Sequence, residues 1–471
     1  MADYQVIIIG AGPAGYVAAI RCAQLGMKVA CVEKWIDDTN QAVLGGTCLN
    51  VGCIPSKVLL DSSYHYEFAK NHAAEHGIEY TEVSLNLTAM HQRKNKAIHT
   101  LTKGIADLFK KNKVTQITGQ ARLLPNKQVA ITTAEGHQQV ITTDNIIIAT
   151  GSSPTCLPFI NVDEKYVLDS TGALNLQRVY PRIGIIGAGA IGLELGSVWQ
   201  RLGSQVTILE AQTDFLPQAD KKIAATAKRT LTKQGLSFQF GAQVNQVDID
   251  NGEVTVKYKM KDEDHVLIVD RLIIAVGRSP NTADLNLAEI GVKLTDGGFI
   301  EVDEHCQTSI GGIYAIGDVI GGAMLAHKAF EEGVFVAEHI AKQHPRLEKE
   351  LMPWIIYTHP EIAWVGQTEE TLKAQGIDYK VGQFPFAANG RAYAQGETTG
   401  LVRILADAET DRILGVHIFG ATASELMAEA VTAMAFEASS EDLASIIHAH
   451  PTLSEGIHEA ALAVTDKMIH A

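Results

Sequence analysis

The sequence predicts an α/β protein in which one strand–turn–helix–strand unit occurs twice, followed by a C-terminal segment of mixed α+β type. Two glycine-rich turns, each between an apolar strand and an apolar-periodic helix, predict the repeated unit. After about residue 350 such turns no longer occur, and alternating strand-like runs replace them. A chain of 471 residues is long enough for two to four domains.

The composition is that of a globular protein, with 46% hydrophobic and 20% charged residues. The net charge of −15 at pH 7 disfavours nucleic acid and anionic lipid as partners and favours a basic protein surface. The sequence contains no run of 18 apolar residues, so we expect no membrane span. The N-terminus lacks the pattern of a signal peptide. We therefore expect a bacterial cytoplasmic protein, with a processed chain of the mitochondrial matrix as the alternative.

The first unit is QVIIIGAGPAGYVAAIRCAQLGMKVACVE, residues 5–33. Gly10 permits a tight turn, Gly12 lets the backbone approach a pyrophosphate, and Gly15 lets the helix pack on the strand. Glu33 ends the second strand, where an acid accepts a ribose hydroxyl. A glycine-rich turn alone is weak evidence, but the full strand–turn–helix–strand context predicts a Rossmann-like dinucleotide-binding domain.

The second unit is RIGIIGAGAIGLELGSVWQRLGSQVTILE, residues 182–210. Its glycines are Gly187, Gly189 and Gly192, its acid is Glu210, and each lies 177 residues after its counterpart. Two such domains in one chain predict two bound dinucleotides and electron transfer between them.

A third element recurs at a shorter offset. NIIIATG ends at Gly151 and RLIIAVGRSPN passes through Gly277, only 126 residues later. The first copy is therefore 51 residues longer between its acidic residue and its closing strand, and this extra segment contains two neighbouring cysteines. A further apolar run, GGIYAIGD, ends at Asp318, which places a carboxylate at the edge where α/β proteins bind ligands. The alternative is an ordinary turn aspartate.

The last part of the chain predicts a third domain. LVRILAD and ILGVHIFG alternate like strands, and ELMAEAVTAMAFEA has the period of a helix. The lysine-rich run at residues 93–114 predicts a solvated helix face rather than a nucleic-acid contact, because the whole chain is acidic.

The stretch GGTCLNVGCIPSK places Cys48 and Cys53 just before an apolar run that predicts a helix, and Pro55 suits its first turn. No second Cys or His cluster accompanies the pair, so a zinc site is disfavoured and a reversible disulfide is favoured. A helix N-terminus and the charge of Lys57 are expected to lower the thiol pKa. The five-residue spacing predicts local distortion around Gly52.

Dithiol chemistry needs a base, and HAHPTLSEGIHEA near the C-terminus offers one. His450 precedes Pro451, and Glu455 could accept one ring N–H and so fix the imidazole tautomer. Alternatively, Thr452 and Glu455 form a capping box for the helix that follows. The two interpretations are compatible.

These motifs together resemble the pyridine nucleotide–disulfide oxidoreductase family, in the branch that oxidises dihydrolipoamide. The four motifs occur in the family's order from about residue 5 to the end of the chain. The resemblance implies FAD in the first dinucleotide-binding domain, NAD in the second and a C-terminal domain that forms a homodimer. The implied boundaries are 1–151 for the first part of the FAD domain, 152–280 for the NAD domain, 281–349 for the second part of the FAD or central domain, and 350–471 for the interface domain.

The resemblance also implies roles for single residues. The implied FAD contacts are Gly10, Gly12, Gly15, Glu33, Asp318 and Ala326, and the implied NAD contacts are Gly187, Gly189, Gly192, Glu210 and Gly277. Lys57 lies near the flavin ring and pairs with Glu194. Cys53 contacts the flavin and Cys48 exchanges with substrate. His450, supported by Glu455, is expected to act across the dimer on the cysteine pair of the other subunit. The resemblance also implies a cis His450–Pro451 bond.

The implied activity is oxidation of protein-bound dihydrolipoamide to lipoamide with reduction of NAD⁺, through a Cys48–Cys53 disulfide and FAD. Glutathione and trypanothione reductases prefer NADPH and carry basic residues after the second strand, whereas Glu210 is followed by AQTDFLPQAD. An acid there repels a 2′-phosphate and favours NAD. Mercuric and high-molecular-weight thioredoxin reductases carry C-terminal redox residues, which ALAVTDKMIHA lacks.

The implied partners are a second copy of the chain, lipoyl domains, and the basic subunit-binding domain of a 2-oxo acid dehydrogenase acyltransferase core. A glycine cleavage complex is a further possible assembly. The alternative is a non-catalytic flavoprotein that serves as a docking subunit. Such a protein is expected to have lost a chemical residue, yet Cys48, Cys53, Lys57, His450 and Glu455 are all present.

Overall fold

The structure, a computed structural model, describes residues 2–37 and 41–471. Up to residue 155 the helices and strands are Tyr4–Ile9 (β1), Pro13–Gln24 (α1), Val29–Glu33 (β2), Gly46–Val51 (α2), Cys53–Asn71 (α3), Leu87–Asn112 (α4), Thr115–Thr118 (β3), Gln120–Leu124 (β4), Gln128–Thr132 (β5), Gln138–Ile148 (β6) and Ser152–Pro154 (β7).

From residue 156 to 276 they are Val167–Leu168 (β8), Ser170–Ala173 (α5), Arg182–Ile186 (β9), Ala190–Arg201 (α6), Gln205–Glu210 (β10), Lys221–Lys233 (α7), Leu236–Phe240 (β11), Gln243–Asp250 (β12), Glu253–Met260 (β13), Glu263–Val269 (β14) and Arg271–Ile274 (β15).

The remaining elements are Arg278–Pro280 (β16), Leu287–Ile290 (α8), Ile313–Ala315 (β17), Ala326–Ile340 (α9), Trp354–Ile356 (β18), Glu361–Gly366 (β19), Glu369–Gln375 (α10), Tyr379–Pro385 (β20), Gly390–Gln395 (α11), Leu401–Asp407 (β21), Ile413–Gly420 (β22), Ala423–Ala435 (α12), Ser440–Ser445 (α13) and Glu455–Ala463 (α14).

The chain forms two compact units, and the first comprises the chain up to Leu59, Asn86–Thr155 and Gly277–Leu347. Its parallel strands lie in the order β3-β2-β1-β6-β17, and β6 also pairs antiparallel with β5, which pairs with β4. The central strands are buried on both faces and read as continuous apolar runs, as parallel strands do. Helix α9 packs closely on α1 because Gly333 has no side chain. A Cβ at Gly333 would lie only 2.8 Å from a backbone oxygen of α1.

The second unit comprises Leu60–Leu85, Cys156–Val276 and Glu348–Ala471. Its parallel sheet, β11-β10-β9-β15-β8, places the repeated strands in the same order as in the first unit. A three-stranded antiparallel sheet, β12-β13-β14, follows in the chain. The C-terminal part is an antiparallel sheet, β18-β19-β22-β21-β20, whose core includes side chains of α12 and α14.

These observations confirm the predicted fold class. LVRILAD and ILGVHIFG form β21 and β22, and the helix predicted after them is α12. The four predicted domain boundaries stay a prediction. Within the described residues, no helix combines the length and apolarity that crossing a bilayer requires.

The lysine-rich run lies on α4, which begins where the Asn86 side chain accepts the N–H of Ala89 at 2.9 Å. Most of its basic residues are exposed, as a solvated face predicts. Lys94 is the exception, because it is buried, and burial lowers its pKa to about 8. The solvated face therefore excludes Lys94.

Candidate active site

The turn between β1 and α1 has a backbone shape that requires glycine. Gly10 has a φ of +102°, and a Cβ there would lie 2.4 Å from the carbonyl oxygen of Ala149. A Cβ at Gly15 would lie 1.8 Å from the Gly10 oxygen, so the helix approaches the strand closely. Gly12 begins α1 without a side-chain cap, which suits a helix N-terminus that receives a phosphate.

The second turn repeats this geometry. Gly187 has a φ of +107°, and its Cβ would lie 2.3 Å from the Ala275 oxygen. A Cβ at Gly192 would lie 2.0 Å from the Gly187 oxygen, and Gly189 begins α6, again without a side-chain cap. Both turns thus fit the pyrophosphate of a dinucleotide, while the assignment of FAD to one and NAD to the other stays a prediction at the residue level.

The acidic residues at the ends of β2 and β10 close these turns. Glu33 accepts the N–H of Ala11 on Oε2 and the N–H of Trp35 on Oε1, both at 2.8 Å. Glu210 makes the two equivalent bonds at the same distance. Burial raises the pKa of Glu33, and its hydrogen bonds to backbone N–H groups oppose that rise. Each carboxylate oxygen keeps a lone pair for a further donor, so a ribose contact remains a prediction for both acids.

Asp318 follows β17 in a 3-10 turn at the carboxyl end of the parallel sheet, as the strand pattern predicts. Its Oδ2 accepts the hydroxyl of Ser152 at 2.5 Å, and Arg278 Nε lies 3.9 Å from the same oxygen. Arg278 also donates to Ser152 Oγ at 2.7 Å. Ala326 is the first residue of α9. The position of Asp318 is confirmed, and its contact with FAD stays a prediction.

Ser152 and Arg278 are neighbours of Asp318 that the sequence did not indicate. Each directly follows a glycine of the third repeated element, Gly151 or Gly277, and Gly277 has a φ of +122°. Their segments, GSSP and GRSP, pair with each other as antiparallel β7 and β16. The repetition of these four-residue segments could have indicated the two residues, but only the tertiary structure shows that the segments pair.

The two cysteines lie on successive helices. Cys48 is the third residue of α2, Cys53 is the first residue of α3, and Gly52 between them has φ −139° and ψ −115°. The predicted distortion at Gly52 is therefore confirmed. Gly46 begins α2 against the first glycine turn, where its Cβ would lie 2.6 Å from the Cα of Gly12. The cysteines are thus held next to the proposed dinucleotide turn of their own unit.

The thiols interact directly, and their acidity differs from the expectation. A side-chain hydrogen bond with Cys53 is the largest cause that raises the pKa of Cys48, followed by burial and the charge of Cys53. The predicted lowering is therefore wrong for Cys48, because the nearest group is a second thiol that competes for the same negative charge. Lys57 does act in the predicted direction and lowers the pKa of Cys48. Burial and Cys48 raise the pKa of Tyr16 to about 12, so Tyr16 is a further neighbour that the sequence did not indicate.

Glu194 lies buried in α6, and its Oε1 accepts the N–H of Tyr357 at 3.1 Å. Its ion pair with Lys57 stays a prediction. No group of three or more His, Cys, Asp or Glu side chains suited to a metal ion occurs in the residues described, 2–37 and 41–471.

The C-terminal base candidate has the expected orientation. His450 Nδ1 lies 2.8 Å from Glu455 Oε1, and the His450–Pro451 bond is cis. Glu455 Oε2 accepts the N–H of Thr452 at 2.8 Å, while the Thr452 hydroxyl donates to Ala449. One carboxylate therefore orients the imidazole and forms half of a capping box, so both interpretations hold in part.

Hydrogen bonds and charge keep Glu455 ionised. Burial raises the pKa of Glu455. The hydrogen bonds from the Thr452 N–H and from His450, together with the charges of His450 and His470, outweigh burial, so the pKa lies below its usual value. An ionised carboxylate accepts from Nδ1 and leaves Nε2 of His450 as the basic nitrogen. The His450 side chain is 77% exposed in the single chain, so Nε2 is accessible.

Comparison with known proteins adds a family assignment to this geometry. Residues 4–333 match the family described as pyridine nucleotide-disulphide oxidoreductase, and residues 352–461 match its dimerisation domain. The chain is 52% identical to the dihydrolipoyl dehydrogenase of Cupriavidus necator, with 99% of both chains covered. It is 47% identical to the mitochondrial dihydrolipoyl dehydrogenase of Homo sapiens, covering 98% of this chain and 91% of that protein.

Solved structures agree with this assignment. The HOCl-induced flavoprotein disulfide reductase RclA from Escherichia coli is 29% identical, with a TM-score of 0.86 over 98% of this chain and 100% of that one. LpdA from Mycobacterium tuberculosis is 25% identical, with a TM-score of 0.90 over 97% of this chain and 99% of that one. By its sequence and its fold, the chain belongs to the pyridine nucleotide-disulphide oxidoreductase family.

Proposed function

We propose that this chain is an NAD-dependent flavoprotein that oxidises protein-bound dihydrolipoamide to lipoamide. The observation that carries the proposal is the combination of a directly interacting Cys48–Cys53 pair with a His450–Glu455 pair. Full-length similarity to dihydrolipoyl dehydrogenases supports the same substrate. The net reaction converts dihydrolipoamide and NAD⁺ into lipoamide, NADH and a proton.

The residues of this chain carry the thiol steps. His450 Nε2 takes a proton from one substrate thiol, and Glu455 stabilises the imidazolium through Nδ1. The substrate thiolate attacks Cys48 of the Cys48–Cys53 disulfide, which breaks the S–S bond and releases Cys53 as a thiolate. The second substrate thiol then attacks the mixed disulfide, forms lipoamide and releases Cys48. FAD, when bound in the first unit, would supply a two-electron acceptor for this dithiol and a hydride donor for NAD⁺.

The glycine turns, Glu33 and Asp318 are the groups that would hold FAD in the first unit. The absence of a side chain at Gly12 leaves room for a phosphate at the start of α1. In the second unit, Gly187, Gly189 and Glu210 would hold NAD.

The chain carries a dimerisation domain, and we propose that it acts as a homodimer in which His450 serves the cysteine pair of the other subunit. Its partners are lipoyl domains and a basic subunit-binding domain of a 2-oxo acid dehydrogenase or glycine cleavage assembly. The net charge of −15 supports a basic partner. The bacterial relative supports a cytoplasmic location, which fractionation of the native cell would test.

One assay tests the activity. Purified protein with dihydrolipoamide and NAD⁺ is expected to form NADH, and glutathione disulfide with NADPH is expected to give no turnover. Bound flavin without NADH formation would favour the non-catalytic docking subunit. Turnover of glutathione disulfide with NADPH would instead replace the proposed substrate class.

A further inference from the structure

A buried ion pair lies in the first two turns of α9. Lys328 Nζ lies 2.9 Å from Glu332 Oε1, and the two side chains are only 9% and 0% exposed. Taking two charges out of water commonly costs at least as much free energy as their attraction returns, so a gain in stability does not account for the pair. Buried ion pairs can instead hold a chain in one conformation, and the contacts of this pair indicate which segment it holds.

Both charged groups contact the same residue, Gly317, which directly precedes Asp318. Glu332 Oε2 accepts the N–H of Gly317 at 2.7 Å. Lys328 Nζ donates to the carbonyl oxygen of Gly317 at 3.3 Å. The ion pair joins these two contacts, so α9 holds the peptide group on each side of Gly317.

Gly317 is a position at which the backbone needs such support. Its φ is +76°, in the left-handed region, and a glycine has the widest choice of other conformations. A Cβ there would lie 3.0 Å from the Cβ of Ala14 on α1, so the close packing disfavours a stiffer residue. The peptide group that Lys328 holds is the one that leads into Asp318. Rotation about the bonds of Gly317 would therefore turn the Asp318 carboxylate away from Ser152.

We propose that Lys328 and Glu332 are positioning residues for Asp318: they hold both peptide groups of Gly317 and thereby aim the Asp318 carboxylate at bound FAD. Both residues act on FAD through Gly317 and Asp318. The proposal rests on the proposed function, because it takes Asp318 as one of the groups that hold FAD.

An apolar replacement of the pair, Lys328→Met with Glu332→Leu, tests the proposal. We expect this variant to fold, because replacing a buried ion pair by apolar side chains of similar size often leaves stability unchanged. Both contacts with Gly317 are lost, so FAD should leave the holoenzyme about tenfold faster, as for a lost hydrogen bond to a charged group. FAD fluorescence after dilution measures the release, and circular dichroism measures the melting temperature. Glu331→Gln, at the exposed neighbour on α9, is the matched control and should release FAD like wild type.

A polar replacement, Lys328→Gln with Glu332→Gln, separates the contacts with Gly317 from the charges. One amide can donate to the Gly317 oxygen and the other can accept its N–H, so FAD release should return towards the wild-type rate. Wild-type release from the apolar variant would overturn the proposal. Equally fast release from the polar and apolar variants would also overturn it, because the contacts with Gly317 would then have no effect.

Asp318→Asn separates positioning from a general loosening of the unit. Asp318→Asn alone should release FAD faster, and adding the apolar pair should cause no further increase, because both changes act through one carboxylate. Effects that multiply would overturn the proposal and leave the ion pair a purely structural feature. If the apolar variant does not fold, Lys328→Met with Glu332→Gln, which is neutral and keeps an acceptor for the Gly317 N–H, enters the same comparison.

The two proposals fail in different ways. Unchanged FAD release in Asp318→Asn alone would show that Asp318 does not hold FAD, and the positioning role would fall with it. A wild-type protein without dihydrolipoamide turnover would overturn the proposed function, while the rates of FAD release would still decide the role of Lys328 and Glu332.

Discussion

At the scale of single residues, the site is built from side chains that each make two contacts. Glu33 and Glu210 bond two backbone N–H groups apiece, so each acid shapes its loop without any ligand. Glu455 likewise orients His450 and holds the N–H of Thr452. A substitution at one of these acids therefore changes both a loop and a chemical property, and each test needs a control that separates the two.

Glu210 is expected to decide the choice of nicotinamide cofactor. Glu210→Gln keeps the size of the side chain and removes the charge that repels a 2′-phosphate. Because that charge is lost, the ratio of kcat/KM with NAD to that with NADP should fall about tenfold or more. A tenfold change corresponds to about 1.4 kcal/mol. Steady-state kinetics with both cofactors measures the ratio, and added arginines nearby should lower it further. Asp214→Asn, at a nearby exposed carboxylate, is the control. Equal use of both cofactors by the wild-type protein would contradict this role of Glu210.

The two cysteines are expected to differ in their roles. Cys48→Ser should abolish dithiol turnover but leave the Cys53 thiolate, which no longer competes with a second thiol for the negative charge. A charge-transfer absorbance of the flavin should persist in Cys48→Ser and vanish in Cys53→Ser. Cys156→Ser, at an exposed cysteine, should leave spectrum and turnover unchanged. The reverse spectra would exchange the two roles.

At the scale of elements, a buried charged cluster joins α7 to the antiparallel sheet of the same unit. Asp220 caps α7 by accepting the N–H groups of residues 222 and 223, and Arg403 of β21 lies 3.5 Å from Asp220. His417 of β22 is paired in register with Arg403 and is fully buried. Its Nε2 lies 2.9 Å from the backbone oxygen of Gln367. Burial lowers the pKa of His417 to about 4.

This histidine makes stability depend on pH. An unfolded histidine has a pKa near 6.5, so between about pH 6.5 and 4 the unfolded chain binds a proton that the folded chain does not. The contribution of neutral His417 to the free energy of unfolding is therefore fully present above about pH 6.5. It decreases as the pH falls towards about 4, by up to about 1.4 kcal/mol per pH unit. His417→Gln should show a smaller drop in melting temperature between pH 7.5 and pH 5 than wild type. His99→Gln, at an exposed histidine of α4, should behave like wild type. An equal drop in all three proteins would show that His417 does not contribute.

At the scale of the whole molecule, the C-terminal region has the surface of an interface. Phe436 is 83% exposed and Ile447 is 97% exposed, and both lie within the match to the dimerisation domain. Large apolar side chains that remain this exposed in a single chain indicate a surface that a partner covers. His450 follows Ile447 by three residues, and its side chain is 77% exposed. These features support the homodimer.

Mixed dimers test that assignment. Cys48→Ser subunits are expected to be inactive because they lack the thiol that exchanges with substrate. His450→Gln subunits are expected to be nearly inactive, because loss of a general base commonly costs about 10²–10⁴ in rate. A reassembled heterodimer contains one intact site if Cys48 and His450 come from different chains. Random mixing should then recover roughly a quarter of wild-type activity, since half of the dimers carry one working site of two. Heterodimers confirmed by mass that recover no activity would show that both residues act within one chain.

The sequence alone was sufficient to predict those properties that depend on residues close to one another in the chain. Glycine spacing, alternating strands and the position of Gly52 depend on neighbours a few residues away, so the two dinucleotide turns, the C-terminal α+β part and the break between the cysteine helices could be predicted. The exact repeat of 177 residues reappears in the hydrogen bonds of both acids for the same reason.

Only the tertiary structure decided the properties that arise between distant residues. Ser152 meets Asp318 across 166 positions, burial removes Lys94 from an otherwise solvated helix face, and the contact with Cys53 raises rather than lowers the pKa of Cys48. The tail of the chain lies against α14 because Glu459 accepts the N–H groups of Ile469 and His470. Acidity and charge pairing depend on burial and on the nearest partner, and neither can be read from the order of residues alone.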